Sequence, residues 1–392
     1  MLSFFRQSSL VVLFLLLLFA FFNTGCSQRE LEPSYQHAES LPRFNQPTFS
    51  EYQQQTKAWL VKYRYFMTEN HEQELSLVLP KEYQPVKANG KAVLLVHGLG
   101  DTPYTFTDVA SHLAEQGYLV RTILLPGHAS KVGDLILPSL ADWQGVIDHH
   151  IDLLKQQSKH IWLGGYSTGA NLVMSKALQD DQIEGVLLFS PAFQPRSSAA
   201  RWAGLARHFV TWADRDPEDN PLRYSSLPMN AANVYYQTVK NVQEDLKGKT
   251  YNKPVFMMMG EGDQVIDTDY ALAVFNTRMK HPNNHLVWLG EVLPKVNNVS
   301  MFSMDLPEKR ISNSSHMGIL FSPENSHYGE KGSQLICDNG QPSASKQACE
   351  AGEEVWFSAW GFEKDARIHA RLTYNPYFEE TMLLMDQVMG KD

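Results

Sequence analysis

The sequence predicts an α/β fold, a mostly parallel central sheet with helices on both faces and an inserted helical cap. Three observations lead there. Continuous apolar runs such as Ala92-Val93-Leu94-Leu95-Val96 have the composition of strands buried on both sides. These runs alternate with stretches of helical spacing, the pattern of parallel strands joined by crossover helices. One of them, His160-Ile161-Trp162-Leu163, leads into the glycine-flanked serine of Gly165-Tyr166-Ser167-Thr168-Gly169, after which Ala170, Val173, Met174 and Ala177 mark one face of a helix.

Taken in order, the chain opens on a processing segment. Arg6 precedes an unbroken apolar run over 10–22, 13 residues, which suits a signal h-region and is too short to span a bilayer. Residues 1–25 are read as a signal peptide and 26–51, polar and punctuated by Pro33, Pro42 and Pro47, as a tether. The globular domain is expected over 52–392. After the strand at 92–96 the pattern predicts a helix over 103–116 stopped by Gly117, a strand over 118–124 and a helix over 140–155. Beyond the serine turn come strands over 185–189 and 254–259. Between these two the alternation breaks. Trp202, Leu205, Ala206, Phe209 and Val210, then Ala231, Val234, Thr238 and Val242, keep helical spacing with no strand between them. We read about 192–253 as the cap, with Trp202, Phe209 and Trp212 as core contacts rather than acyl-chain contacts. The segments 285–289 and 299–304 compete for the last core strand. An elaboration containing two cysteines fills about 322–370, and a last helix is expected over 377–389.

Composition narrows the function. There are 34 Lys and Arg against 43 Asp and Glu, a formal charge of −9, and no long basic run offsets it, which argues against nucleic acid as a partner. The chain has 3 cysteines. With Cys26 set apart at the end of the signal segment, Cys337 and Cys349 form an even pair around a polar, turn-rich stretch, and a disulfide between them is expected in an oxidising compartment. No Cys or His pair has zinc-ligand spacing, so neither metal nor cofactor is expected. A monomer is expected.

The serine turn sets the chemistry. A hydroxyl is a poor nucleophile until a base takes its proton, so a histidine must lie within reach. Of 14 histidines, His316 sits in the polar loop Ser312-Asn313-Ser314-Ser315-His316-Met317-Gly318, after the last core strands, and is the candidate base. His327 is its main rival; His149 and His150 read as solvated or capping, and His281 and His285 flank a turn. An acid must orient the imidazole. Asp263 follows the apolar strand 254–259 directly and is preferred to Asp267, read as a helix cap, and to Glu261. Two backbone N–H groups are needed for a developing oxyanion: that of Thr168, after the serine, and that of Leu99, in the loop His97-Gly98-Leu99-Gly100. His97 is expected to hold that loop rather than act as a base.

Together with Leu125-Pro126-Gly127-His128, these segments resemble the α/β-hydrolase superfamily, and within it the capped carboxylesterase and monoacylglycerol-lipase-like branch, over about residues 60–320 and the last helix. Ala129 stands where the branch usually has Gly, and Asp263 and His316 are 53 residues apart, more than is usual there. The resemblance implies a serine esterase or lipase that acts through an acyl-enzyme on Ser167, with a small acyl ester such as a monoacylglycerol or lysophospholipid as substrate. Asn23-Thr24-Gly25-Cys26 resembles a bacterial lipobox, apart from Asn23. It implies a lipidated Cys26, membrane attachment through that anchor, and an exported protein of the bacterial envelope, with Ser27 leaning towards the outer membrane. Two alternatives stay open: a proline-type aminopeptidase of the same topology, and a binding lipoprotein without turnover.

Overall fold

Eight strands form the central sheet of the computed structural model, which describes residues 32–390, in the spatial order β1-β3-β2-β4-β5-β8-β9-β10. They are β1 (Lys81–Tyr83), β2 (Lys91–Val96), β3 (Leu119–Ile123), β4 (His160–Tyr166), β5 (Ile183–Phe189), β8 (Val255–Gly260), β9 (His285–Leu289) and β10 (Val299–Phe302). Only the β1–β3 pairing in this sheet is antiparallel. The signal-peptide reading and Cys26 lie outside the described residues.

The period of two along each strand divides the core into two layers. Ala92, Leu94 and Val96 face one cluster, shared with Trp143, Val173 and Val234, while Val93 and Leu95 face the other, shared with Val109, Leu113 and Met382. The helices supply these partners. On the first side are α4 (Leu140–Lys155), α5 (Thr168–Gln179) and α7 (Met229–Leu246); on the second are α3 (Thr107–Glu115) and α10 (Phe378–Val388). Ser139 and Asp142 close a reciprocal cap at the start of α4, satisfying N–H groups the helix cannot.

Four expectations are corrected. The tether does not run free to residue 51. Its Tyr35 packs against Trp212, Ala38 N donates to Asp134 Oδ1 at 2.5 Å, and α1 (Phe49–Tyr63) begins inside it with Phe49 buried. Second, the two candidates for the last strand are both in the sheet, with β10 added parallel beside β9. Third, α7 lies along α5 with Ala231, Val234, Val239 and Val242 in the core, so it belongs to the helix layer rather than to a cap. What remains inserted is 194–228: a short helix α6 (Ala203–Ala206) and the ribbon of β6 (Trp212–Asp214) and β7 (Leu227–Pro228). Fourth, Trp202 and Phe209 are exposed and only Trp212 is partly buried.

His150 overturns a smaller expectation and yields a prediction. It is fully buried in α4, its ring 4.3 Å from that of Tyr52, and neither ring nitrogen has a hydrogen-bond partner among the described residues. Burial pushes its pKa from 6.5 down to about 3, with His149 and Arg121 adding to the effect. Because the folded value lies below the unfolded one, the unfolded chain takes up the proton first. Stability from this residue is full above pH 6.5 and is lost as pH falls towards 3. Between pH 8 and pH 5, urea unfolding should show wild type losing about 2 kcal/mol more than His150→Phe. Parallel pH profiles would contradict the assignment.

The elaboration holds α9 (Ser343–Glu350), β11 (Trp356–Ser358) and β12 (His369–Arg371). Cys337 and Cys349 are bonded there, with Cα atoms 5.6 Å apart. Its position matters for the site: Ser312 N donates to Phe357 O at 2.9 Å and Ala359 N to Asn313 Oδ1 at 2.8 Å, tying it to the loop that carries His316.

Candidate active site

The carboxyl ends of β2, β4 and β8 lie near one another on one edge of the sheet, where ligands of open parallel sheets bind. Ser167 follows β4 at φ +54° and ψ −114°, a conformation that costs a residue with a Cβ about 1–3 kcal/mol and lifts its side chain out of the sheet. The turn is pinned by Ser167 N donating to Phe189 O at 2.9 Å. It needs glycine next to it. A Cβ at Gly169 would come 2.1 Å from Val96 O, and one at Gly165 2.5 Å from Ala170 N.

Asp263 is fully buried just past β8. Its Oδ1 accepts from Val265 N at 2.8 Å and Ile266 N at 3.2 Å, which orients Oδ2 towards His316. His316 Nδ1 donates to that oxygen at 2.5 Å, and Ser167 Oγ donates to His316 Nε2 at 3.0 Å. A carboxylate only accepts, so the proton sits on Nδ1 and leaves Nε2 free to receive one. The loop is clamped from both sides: Gly262 N donates to Ser314 Oγ at 2.9 Å, Ser190 Oγ to His316 O at 3.2 Å, and Ser315 Oγ to Leu372 O.

The rivals are occupied elsewhere. His327 meets Tyr104 Oη at 2.9 Å, His285 meets Ser300 Oγ at 2.9 Å, Asp267 caps α8 (Thr268–Arg278) by accepting from Tyr270 N at 2.9 Å, and Glu261 accepts from Val292 N at 3.0 Å. His97 donates from Nδ1 to Gly98 O at 2.8 Å and accepts from Leu125 N at 3.1 Å; burial pushes its pKa down to about 4, so it stays neutral and structural. The N–H groups of Leu99 and Thr168 donate to no protein acceptor among the described residues. Ala129 adopts φ +62°, which explains a glycine preference at that position, and its carbonyl accepts from Arg64.

Three charges at the site were not found from sequence. A Cβ on Gly98 would meet Asp101 Oδ2 at 2.7 Å, so this carboxylate lies against the loop of Leu99. Burial pushes its pKa up to about 6, with Arg223 and His316 pulling it back. Arg371 reaches the same region from β12, its guanidinium pushed down to about 9 by burial and by Arg223. Only Asp101 sits within a local motif; the two arginines come from segments with no signal of their own. Among the described residues there is no group of three or more His, Cys, Asp or Glu that could hold a metal.

This fold and this edge of the sheet define an α/β-hydrolase. The chain belongs to the Hydrolase_4 family, described as serine aminopeptidase, S33, which it matches over residues 87–291, just over half its length. It is 26% identical over 188 residues to a thermostable monoacylglycerol lipase of Bacillus sp. (strain H-257), covering 47% of this chain and 74% of that protein. It is also 22% identical over 224 residues to a carboxylesterase of Bacillus subtilis (strain 168), covering 55% and 89%. Among solved structures, the monoacylglycerol lipase of Paleococcus ferrophilus superposes with a TM-score of 0.47 at 18% identity, over 62% of this chain and 92% of that one.

Proposed function

We propose that this hydrolase cleaves carboxylic esters through an acyl-enzyme on Ser167. The observation that carries the reading is His316, hydrogen-bonded at once to Ser167 Oγ and to Asp263. Ser167 Oγ attacks the ester carbonyl as His316 Nε2 takes its proton. The N–H groups of Leu99 and Thr168 receive the oxyanion, and the imidazolium, steadied by Asp263, then protonates the departing alcohol. Water, activated by the same nitrogen, releases the acid. A single-chain acyl ester, of the monoacylglycerol or lysophospholipid kind, is the substrate class suggested by the relatives and by the expected anchor at Cys26. The anchor would place the enzyme on a bacterial membrane, the outer one by our reading of Ser27.

A peptidase that recognises a free amine would need an unopposed carboxylate at the site. Asp101 has Arg223 within electrostatic reach, which favours the ester reading. The test is a fluorophosphonate probe followed by p-nitrophenyl esters of graded chain length set beside aminoacyl anilides. Labelling of Ser167 and ester turnover are expected. Anilide turnover alone would favour the peptidase, and an unlabelled serine in folded protein would favour a binding lipoprotein.

A further inference from the structure

Helix α6 and the turn after it are packed inside out. The helix places Ala203 against α7 and sets Gly204 close to Asn233, while Trp202, Leu205 and Phe209 stand 59%, 59% and 79% exposed. They are spaced three and four apart, and the bonds Arg207 N to Ala203 O and Val210 N to Ala206 O, at 3.0 and 2.9 Å, continue the winding so that they share a face. Burying the small residues and exposing the large ones runs against the hydrophobic effect unless something covers that face.

The charge around it identifies the cover. Arg201, Arg207 and His208 are exposed and adjoin these residues in the chain, and no Asp or Glu occurs between 192 and 213 in a chain of net charge −9. The Arg201 guanidinium lies 5.3 Å from the Trp202 ring, and Arg207 donates to Asn230 Oδ1 at 2.9 Å, fixing it at the rim. A second copy meeting this face about a twofold axis would bring arginine against arginine. The apolar N-terminal run offers no complement, since residues 1–29 contain no acid. An anionic lipid surface supplies both parts, acyl chains for the aromatic and leucine side chains and negative headgroups for the arginines.

We propose that Trp202, Leu205 and Phe209 insert into the interface of an anionic bilayer with Arg201 and Arg207 on its headgroups, a membrane contact separate from the expected anchor at Cys26. The contact orients the inserted segment, whose Tyr224 N donates to Gly100 O at 2.8 Å beside the candidate oxyanion loop, towards the lipid.

Hydrogen exchange of the full chain tests this locally, without relying on turnover or on bulk membrane attachment. Phosphatidylglycerol vesicles should slow exchange across 198–210, and phosphatidylcholine vesicles should not. The combined change Trp202→Ser, Leu205→Ser and Phe209→Ser should abolish the protection. Arg201→Gln and Arg207→Gln should each weaken it about fivefold. Three results would overturn the proposal: no protection, equal protection by both lipids, or protection without vesicles that follows protein concentration or the presence of residues 1–25. Ser167→Ala protein should behave as wild type here, so a failed esterase assignment would be recognised separately.

Discussion

Ser167→Ala is expected to lower kcat for a p-nitrophenyl ester by about a million-fold while leaving the fold intact. In the proposed reaction the hydroxyl oxygen is the atom that bonds to the carbonyl carbon, and it donates to His316 Nε2 at 3.0 Å. Alanine keeps a Cβ in the same φ +54° conformation, so the turn gains no new clash. Binding and the N–H groups of Leu99 and Thr168 remain, and they account for the residual rate over water. Circular dichroism and a steady-state assay on the same preparation provide the check. A variant within tenfold of wild type would mean that another group carries the reaction.

Asp263→Asn should cost about 10⁴ in kcat, with far less effect on stability than its burial suggests. The remaining carbonyl oxygen can still accept from Val265 N and Ile266 N, as Oδ1 does now. The amide then presents N–H to His316 where a carboxylate oxygen stood at 2.5 Å. An imidazole facing a donor turns its lone pair to Nδ1 and its proton to Nε2, the tautomer that cannot accept from Ser167. The loss should therefore fall on kcat, with KM little changed. An equal loss in Asp263→Asn and Asp263→Ala, with both partly unfolded, would point to a structural role alone.

These two residues also show how far local pattern reaches. Strand, glycine-flanked serine and helix are adjacent in the chain, and the clash at Gly169 against Val96 O shows why that spacing leaves little freedom. The two-layer core was legible for the same reason, since strands covered on both faces read as near-continuous apolar runs. The inserted segment was not legible. Apolar spacing at 231, 234, 238 and 242 looks the same whether a helix covers the sheet or stands above it, and Trp202 and Phe209 have core-like composition yet face outward. The packing of residues 33–51 was missed because few apolar positions announce it, and much of that contact is made by single polar bonds such as Ala38 to Asp134.

Local sequence was therefore enough to define the kind of sheet, the glycine-flanked serine turn and the short list of candidate acids and bases, because each is written in neighbouring residues. Three-dimensional packing made the selection among them. Asp263 and His316 lie 53 positions apart, and much of the intervening chain contributes no sheet strand. The loop that brings His316 within 2.5 Å of Asp263 is held by bonds of Ser312, Asn313 and Ser315 to Phe357, Ala359 and Leu372 of a later segment. Long-range hydrogen bonds of this kind depend on how whole elements meet, and no local spacing encodes them.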